Sequence, residues 1–588
     1  MSSSVSNPGS HRAERDPRSW RDRLAAGSPD SPDAPAQLNR AFVIGLVGVA
    51  LLVASAFMSW TYNPALLGNV TLYGNPGTVQ IYLLVMALMA LFLLLIRKGP
   101  LSRLGRHLGR QTGLRALGIG ITLYLVIAVG ASIALTDDAM LGALDPGVYV
   151  GILGGLLVAA AGHLLPTHKA VGERHQRFPA WLEILVVVLL VALALAAAAY
   201  GLGIGDPALF VAFLAFVAVI AAGLARGGFF DWLSIVVGHH RTVLLLATFA
   251  AAFAFPLTQN GSDANMSIAT SVLIFAATAM GLNIVVGLAG LLDLGYIAFL
   301  GAGAYVGAML SESAFATIDW KPPFIIVALI GALFAALLGL IIGSPTLRVS
   351  GDYLAIVTLA FGEIFRLTMF NLDGNNGPDL THGPNGIPAI PELNFFGFDF
   401  GATHAFFGVP ITRFANYYFL LLLLIGFIIL VFTRLNNSRI GRGWIAIRED
   451  EKAAEAMGVN VFGLKILAFA GGAFLAGLAG TVKAHQDVSV TPDQYQFLES
   501  AFLLAAVVLG GMGTVGGVLL GAVILKLLPE KLRFFADYRL LLFGLLLVLM
   551  MRFRPEGLVA NRRRQLEFHD DDEALADEVE AIHTEKVT

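Results

Sequence analysis

The 588-residue sequence predicts an all-α polytopic membrane protein with about sixteen transmembrane helices, and three observations carry that reading. Apolar residues make up 57% of the chain before its 65 Gly are counted, and charged residues only 13%, where a soluble domain has about 25%. In water a chain of this size splits into small cores that each need a polar rim, and this composition cannot supply one. Apolar runs of the roughly 17–25 residues that cross a bilayer recur from end to end. Those runs lack the period-2 alternation of a barrel strand, and only helices and closed barrels satisfy their own backbone in lipid. Soluble enzymes, nucleic-acid binders and disordered scaffolds are disfavoured on the same grounds. Zero Cys excludes disulfides and thiolate metal or redox sites.

Residues 1–40, rich in Ser, Pro, Arg and Asp, read as a disordered head. Spans near 41–60, 78–96, 115–135, 146–165, 181–201 and 207–225 follow, forming an accessory bundle over 41–235. A second region, 241–560, holds spans near 242–258, 266–288, 294–310, 324–343, 353–370, 417–433 and 464–484, with shorter runs near 499–511, 513–528 and 538–551. An acidic tail, 561–588, ends the chain. Lys and Arg in short loops mark the cytoplasmic side. They crowd the head, the 97–115 loop and the 166–179 loop, whereas 61–76 has no charge and 136–145 has only Asp137, Asp138 and Asp145. Carried forward, the alternation places 434–463 inside, the Gly-, Pro- and Asn-rich 371–415 loop outside, and both termini in the cytoplasm. No small-residue cleavage site follows the first span, so a removable signal peptide is not expected.

The chemistry is sought in the exceptions to apolarity. Within 434–463, Trp444, Ile447, Ala454 and Met457 repeat at helical spacing, and Gly458 stands where a C′ glycine ends a helix. The spacing predicts one short amphipathic helix over 444–458. Such a helix lies on anionic lipid or docks a soluble partner; the carboxylates of Glu449, Asp450, Glu451 and Glu455 favour docking, because an anionic leaflet repels them. Two glycine groups break apolar runs: Gly287, Gly290 and Gly295 in one, Gly510, Gly511, Gly513, Gly516 and Gly517 in the other. Breaks of this kind point to unwound helices lining a translocation path. Close helix packing is the competing explanation, and the GxxxG of Gly303 and Gly307 fits it. Asp293, Asp352 and Glu363 stand out because a charge at the bilayer centre costs roughly 2.5–3.5 kcal/mol. Asp293 and Asp352 sit where helices begin and read as N-caps. Glu363 lies deeper, either paired with Arg366 or serving the path. No His set has metal-ligand spacing, so no metal site is expected, and no nucleophile–base motif stands out.

The stretch IREDEKAAEAMGVN (447–460) is similar to the EAA loop of ABC-importer permeases, in the form found in the branched-chain amino acid permease family. GLNIVVGLAGLLDLGYIAFLGAGAYVGAML (281–310), LRVSGDYLAIVTLAFGEIFR (347–366), THGPNGIP (381–388), VVLGGMGTVGGVLLGAVIL (507–525) and RFRPEGL (552–558) resemble the same family, in one order over about 240–560. Residues 1–240 carry no part of the resemblance, and Lys452 stands where the general pattern has Glu before Ala453 and Ala454. The resemblance implies an ABC-importer permease core with Gly-interrupted helices in a bacterial plasma membrane, most simply for branched-chain amino acids. It implies as partners a second permease, two ATPase subunits, an extracytoplasmic solute-binding protein and membrane lipid, with no nucleic acid. ATPase coupling then falls to Trp444, Ile447, Arg448, Glu449, Asp450, Glu451, Ala453, Ala454, Glu455, Met457 and Gly458. The translocation path falls to Gly287, Gly290, Asp293, Gly295, Glu363, Gly510, Gly511, Gly513 and Gly516, and binding-protein contact to Thr381, Gly383, Asn385 and Gly386. None of the nine Lys follows a Gly, so the chain has no GxxxxGK[ST] phosphate loop. ATP and Mg are expected in the partner ATPase, with no cofactor on this chain and no enzyme activity of its own. Two other readings are an ion-coupled secondary transporter and a passive channel for a small polar solute such as urea or amides. Neither gives the 444–458 helix a purpose.

Overall fold

The structure, a computed structural model, describes residues 34–61, 74, 76–96, 110–134, 144–165, 179–346 and 352–531 apart from 376, 396 and 407, with scattered positions in 541–559. The acidic tail, nearly all of the head and most of the 538–551 run lie outside these residues. The chain is an all-α membrane protein in which eleven described helices are long and apolar enough to cross a bilayer. It divides into two compact units, Met1–Phe249 and Ala250–Thr588.

The first unit holds α1 (Ala34–Ala56), α2 (Thr78–Leu95), α3 (Arg110–Ala134), α4 (Pro146–Leu164), α5 (Ala180–Gly203), α6 (Pro207–Arg226) and α7 (Phe229–His239). Pro stands in the first turn of α4 and α6, where its missing N–H is no loss, and Asp206 Oδ1 caps α6 by accepting from Ala208 N at 2.8 Å. Between the spans expected near 207–225 and 242–258 the structure has a further helix, α7. Its FFDWLSIVVGH sequence holds enough apolar residues for a helix but is too short to register as a span. Backbone contact holds this unit together: a side chain on Gly118 would sit 2.3 Å from Ala159 N, and one on Gly154 2.9 Å from Gly48 O. Small residues let helices approach this closely where apolar packing alone gives no preference over lipid. Leu52, Leu83, Met86, Leu117 and Leu125 fill the space between. Trp181, Leu189 and Leu193 of α5 stay exposed.

After α8 (Arg241–Ala254), the second unit runs through α9 (Asp263–Leu282), which passes into a π-turn at Asn283–Leu288, then α10 (Ile297–Met309), α11 (Phe324–Thr346) and α12 (Asp352–Asn371). Next come α13 (Arg413–Asn436), α14 (Arg439–Glu449), α15 (Glu451–Ala456), α16 (Val461–Asp487), α17 (Phe497–Gly510) and α18 (Val515–Lys531). The axis of the unit is α16, whose 27 residues extend about 40 Å at 1.5 Å each. Gly303 of α10 packs where an added side chain would lie 2.1 Å from Gly477 O, and Gly307 abuts Thr481, so this GxxxG is a packing seam. Tyr296 Oη donates to Gly472 O at 2.6 Å across the same interface.

The runs near 294–310 and 499–511 form helices of only 13 and 14 residues, short of a full crossing. A hydropathy window sums apolar residues; it does not see that α10 starts late, after a hydrogen-bonded connector, or that α17 stops at Gly511. The 371–415 segment folds into two antiparallel hairpins, β1 (Asn394–Phe395) with β2 (Phe398–Asp399) and β3 (His404–Phe406) with β4 (Val409–Ile411). It is tied to the far end of α16. Ile387 and Val490 exchange backbone hydrogen bonds at 2.9 and 3.1 Å, and Arg413 pairs with Glu392 while donating to Gln486 O at 2.5 Å. The 371–415 loop and the α14–α15 segment therefore occupy opposite ends of one rod.

Candidate functional site

The segment entering α16 is shaped by its caps. Ser438 Oγ accepts from Gly441 N at 3.2 Å to start α14. In place of the single helix expected over 444–458 there are two, because Asp450 adopts an extended backbone and its carboxylate accepts from Ala453 N at 2.9 Å to cap α15. An Asp side chain offers its own backbone this alternative to helix continuation. Gly458 closes α15 at φ +82°, donating to Glu455 O at 2.9 Å, and Asn460 caps α16 through Gly463 N. Trp444, Ile447 and Ala454 are buried, and the indole of Trp444 donates to Leu464 O at 2.7 Å. Lys465, 4% exposed at its side chain, donates to Glu451 at 2.5 Å and binds α15 to α16. The opposite surface is open: Glu449, Asp450, Lys452, Ala453, Glu455 and Gly458 are exposed, and Met457 is 85% exposed at the tip. The result is a rigid knob with one anchored side and one acidic, methionine-tipped side.

Beneath the knob the two glycine breaks meet. Arg448 Nη1 donates to Gly287 O at 2.9 Å, and Gly290 leaves room for the arginine stem, since a side chain there would lie 2.4 Å from Arg448 Cγ. The π-turn leaves Gly287 against Gly513, where an added Cβ would meet Gly513 N at 2.6 Å. Asn283, fully buried, bridges the two breaks: Oδ1 accepts from Gly513 N at 2.8 Å and Nδ2 donates to Thr514 O at 3.4 Å. Single π-turns in α-helices recur at functional positions because they release backbone groups from the regular ladder. Gly510 packs on Gly517 and Gly511 on Val559, whereas Gly516 faces open space.

The remaining expected positions are scattered. Gly295 packs against the backbone of Thr358 and Gly362. Asp293 is buried in the connector before α10. It does not cap that helix: its Oδ1 accepts from Gly295 N at 2.9 Å, two residues ahead of the helix start, and Oδ2 has no partner. Burial pushes this carboxyl up to about 7, against the opposing pull of the Gly295 amide. The side chain of Asp352 lies outside the described residues. Glu363 lies on α12, away from the glycine breaks and the knob, paired with Arg366 at 2.5 Å. At the hairpin end, Thr381, Gly383 and Gly386 are buried, Thr381 Oγ1 donating to Met369 O at 2.5 Å, and only Asn385 of the expected contact residues is exposed. Sequence reasoning missed Asn283 and Lys465. Their signal was a lone amide in GLNIVVG and a lone cation in FGLKILAF, polar groups with no reason to lie in apolar runs unless satisfied there.

Residues 264–551 match the family described as branched-chain amino acid transport system / permease component. The chain is 40% identical over 336 residues to the high-affinity branched-chain amino acid transport system permease protein LivM of Escherichia coli, covering 55% of this chain and 76% of that protein. It is 26% identical over 324 residues to a probable branched-chain amino acid transport permease protein LivM of Methanocaldococcus jannaschii, covering 51% and 86%. It is 25% identical over 293 residues to the permease protein LivH of Escherichia coli, covering 48% and 91%. No solved structure matches the chain.

Proposed function

The chain belongs to the branched-chain amino acid transport permease family, and from that membership we propose that it is one of two permease subunits of an ATP-driven importer for branched-chain amino acids. The knob faces the cytoplasm of a bacterial plasma membrane, as do both termini, and the 371–415 loop faces a solute-binding protein outside. Two ATPase subunits use ATP and Mg; this chain binds no cofactor. One ATPase grips the exposed acidic and methionine-tipped side of α14–α15. The first unit, which lies outside the family match, is a scaffold that stabilises the assembly.

The observation that carries this reading is the Arg448–Gly287 hydrogen bond beneath the docking side. A displacement of α14 pulls on the π-turn, the π-turn pulls on Asn283, and Asn283 holds the second glycine break through Gly513. Hydrogen bonds to a charged donor are worth about 1.5–3 kcal/mol, enough to bias a two-state element by tenfold or more. Closure of the ATPase pair thus has a short mechanical route to the two places where the helices are already broken.

The test is leucine uptake into vesicles carrying the complex of this chain with its second permease and ATPases, supplied with binding protein. ATP-dependent accumulation is expected, and scrambling Ala453–Gly458 in a correctly assembled complex abolishes it. Undiminished uptake after scrambling overturns the proposal, as does uptake that persists without ATP and collapses with an uncoupler.

A further inference from the structure

At the end of α16 opposite the knob, charged side chains that the coupling route does not use converge from three elements. Arg366 of α12 donates Nε to Glu363 Oε1 at 3.0 Å, and its Nη1 lies 3.6 Å from Asp493 Oδ1 in the Pro492–Tyr495 turn. Lys483 of α16 donates to Asp487 at 2.5 Å and to Gln494 at 2.8 Å, and sits 5.5 Å from the Tyr495 ring centroid. Tyr305 of α10 and Tyr495 lie buried with ring centroids 6.0 Å apart, and Phe365 is 6.3 Å from Tyr305. The hydroxyls of both tyrosines are buried without a hydrogen-bond partner. In a chain only 13% charged, both signs meet here beside two unsatisfied hydroxyls. The paired backbone of Ile387 and Val490 places the 381–390 loop next to the turn that carries Asp493.

The pairing is uneven. Glu363 grips Arg366 from within α12 through several short contacts, whereas Asp493 is 69% exposed and holds the same guanidinium only at 3.6 Å. A loose, accessible ion pair backed by a firm one is a place where partners can be exchanged. An amino acid head carries a carboxylate and an ammonium on one carbon. Inserted between Arg366 and Asp493, it replaces one opposite-charge contact by two and leaves no charge uncompensated. A lone amine or a lone carboxylate leaves one protein charge without its partner, so it makes one charge contact fewer than the zwitterion. The guanidinium fork also matches carboxylate geometry.

We propose that Arg366, Asp493 and Lys483, with Tyr305 and Tyr495 beside them, form a receiving subsite for the zwitterionic head of an amino acid, Arg366 taking the carboxylate and Asp493 the ammonium. Glu363 is the positioning residue that fixes the guanidinium. The assignment rests on the importer reading and on the 371–415 loop facing the binding protein.

The experiment uses the assembled importer in vesicles, with L-leucine as probe and 4-methylpentanoate, which keeps the carboxylate and side chain but lacks the ammonium, as competitor. D493N and R366Q should each raise the KM for leucine on the order of tenfold or more, the effect of losing one charged partner. R366K, which keeps the charge without the fork, should fall between. Asp493 is exposed, so D493N assembles, and size-exclusion chromatography of the complex checks this. D493N should also narrow the preference for leucine over 4-methylpentanoate, a change that damage to packing does not produce. ATP-dependent leucine uptake with D493N and R366Q indistinguishable from wild type overturns the subsite and leaves the importer reading intact. ATP-dependent uptake confined to uncharged solutes such as urea also overturns the subsite. Leucine uptake without any need for ATP instead overturns the importer reading.

Discussion

At Asp293 a single carboxyl makes a measurable statement about pH. In an unfolded chain it titrates near 3.9, and in the folded protein burial pushes it to about 7. Between those values the unfolded state has released the proton that the folded state keeps, so stability falls as pH rises from about 4 to about 7 and levels off above. The loss amounts to a few kcal/mol at roughly 1.4 kcal/mol per unit. Asp293→Asn removes the ionisation but keeps an oxygen to accept from Gly295 N. Thermal unfolding in detergent should place the variant above wild type at about pH 8 and bring the two together at about pH 4.5; parallel pH profiles refute the assignment. From sequence, Asp293 was visible as a rare acid in an apolar region, but its local role was not. An Asp at the head of an apolar run looks like an N-cap, and only the path of the connector shows that α10 begins at Ile297.

The coupling knob, α14 and α15 together, separates anchoring from transmission. Trp444 anchors, and truncating a buried Trp costs about 3–5 kcal/mol. Trp444→Ala should therefore lower the amount of assembled complex, read by size-exclusion chromatography. Arg448 transmits. Arg448→Ala should assemble, yet leucine uptake should fall and the ATP hydrolysed per leucine moved should rise by about tenfold. An unchanged ratio of hydrolysis to uptake removes Arg448 from the route. The knob was legible as an element because Trp444, Ile447, Ala454 and Met457 recur at helical spacing; the first three share the buried face, whereas Met457 follows the break at Asp450 and stands exposed at the tip. Its division at Asp450 was not, since helix continuation and side-chain capping compete within a fraction of the energy that periodicity reports. The two glycine breaks were legible as breaks. That Gly287 meets Gly513, with Asn283 bridging them, depends on packing across more than two hundred residues of chain, which no local pattern encodes. The length of α10 failed for a related reason: apolar composition around 294–310 matches a span, while the end of a helix is set by where its backbone hydrogen bonds go.

At the scale of the whole chain, the two units differ in what a relative explains. The family match begins at residue 264, so the first unit lies outside it. Its Ala-, Leu- and Val-rich helices, closed by backbone contact at Gly118 and Gly154, suit a scaffold. Deleting 41–235 should reduce the yield of assembled complex while leaving the ranking of competing solutes in uptake assays unchanged; normal yield with an altered ranking refutes the scaffold role. Within the second unit, α16 runs unbroken from the Lys465–Glu451 pair to the Ile387–Val490 contact region. Such a beam has no preferred direction of signalling. Any factor by which nucleotide on one face tightens or loosens the grip on a visitor at the other must be repaid in kind, so that the arriving visitor alters nucleotide affinity by the same factor.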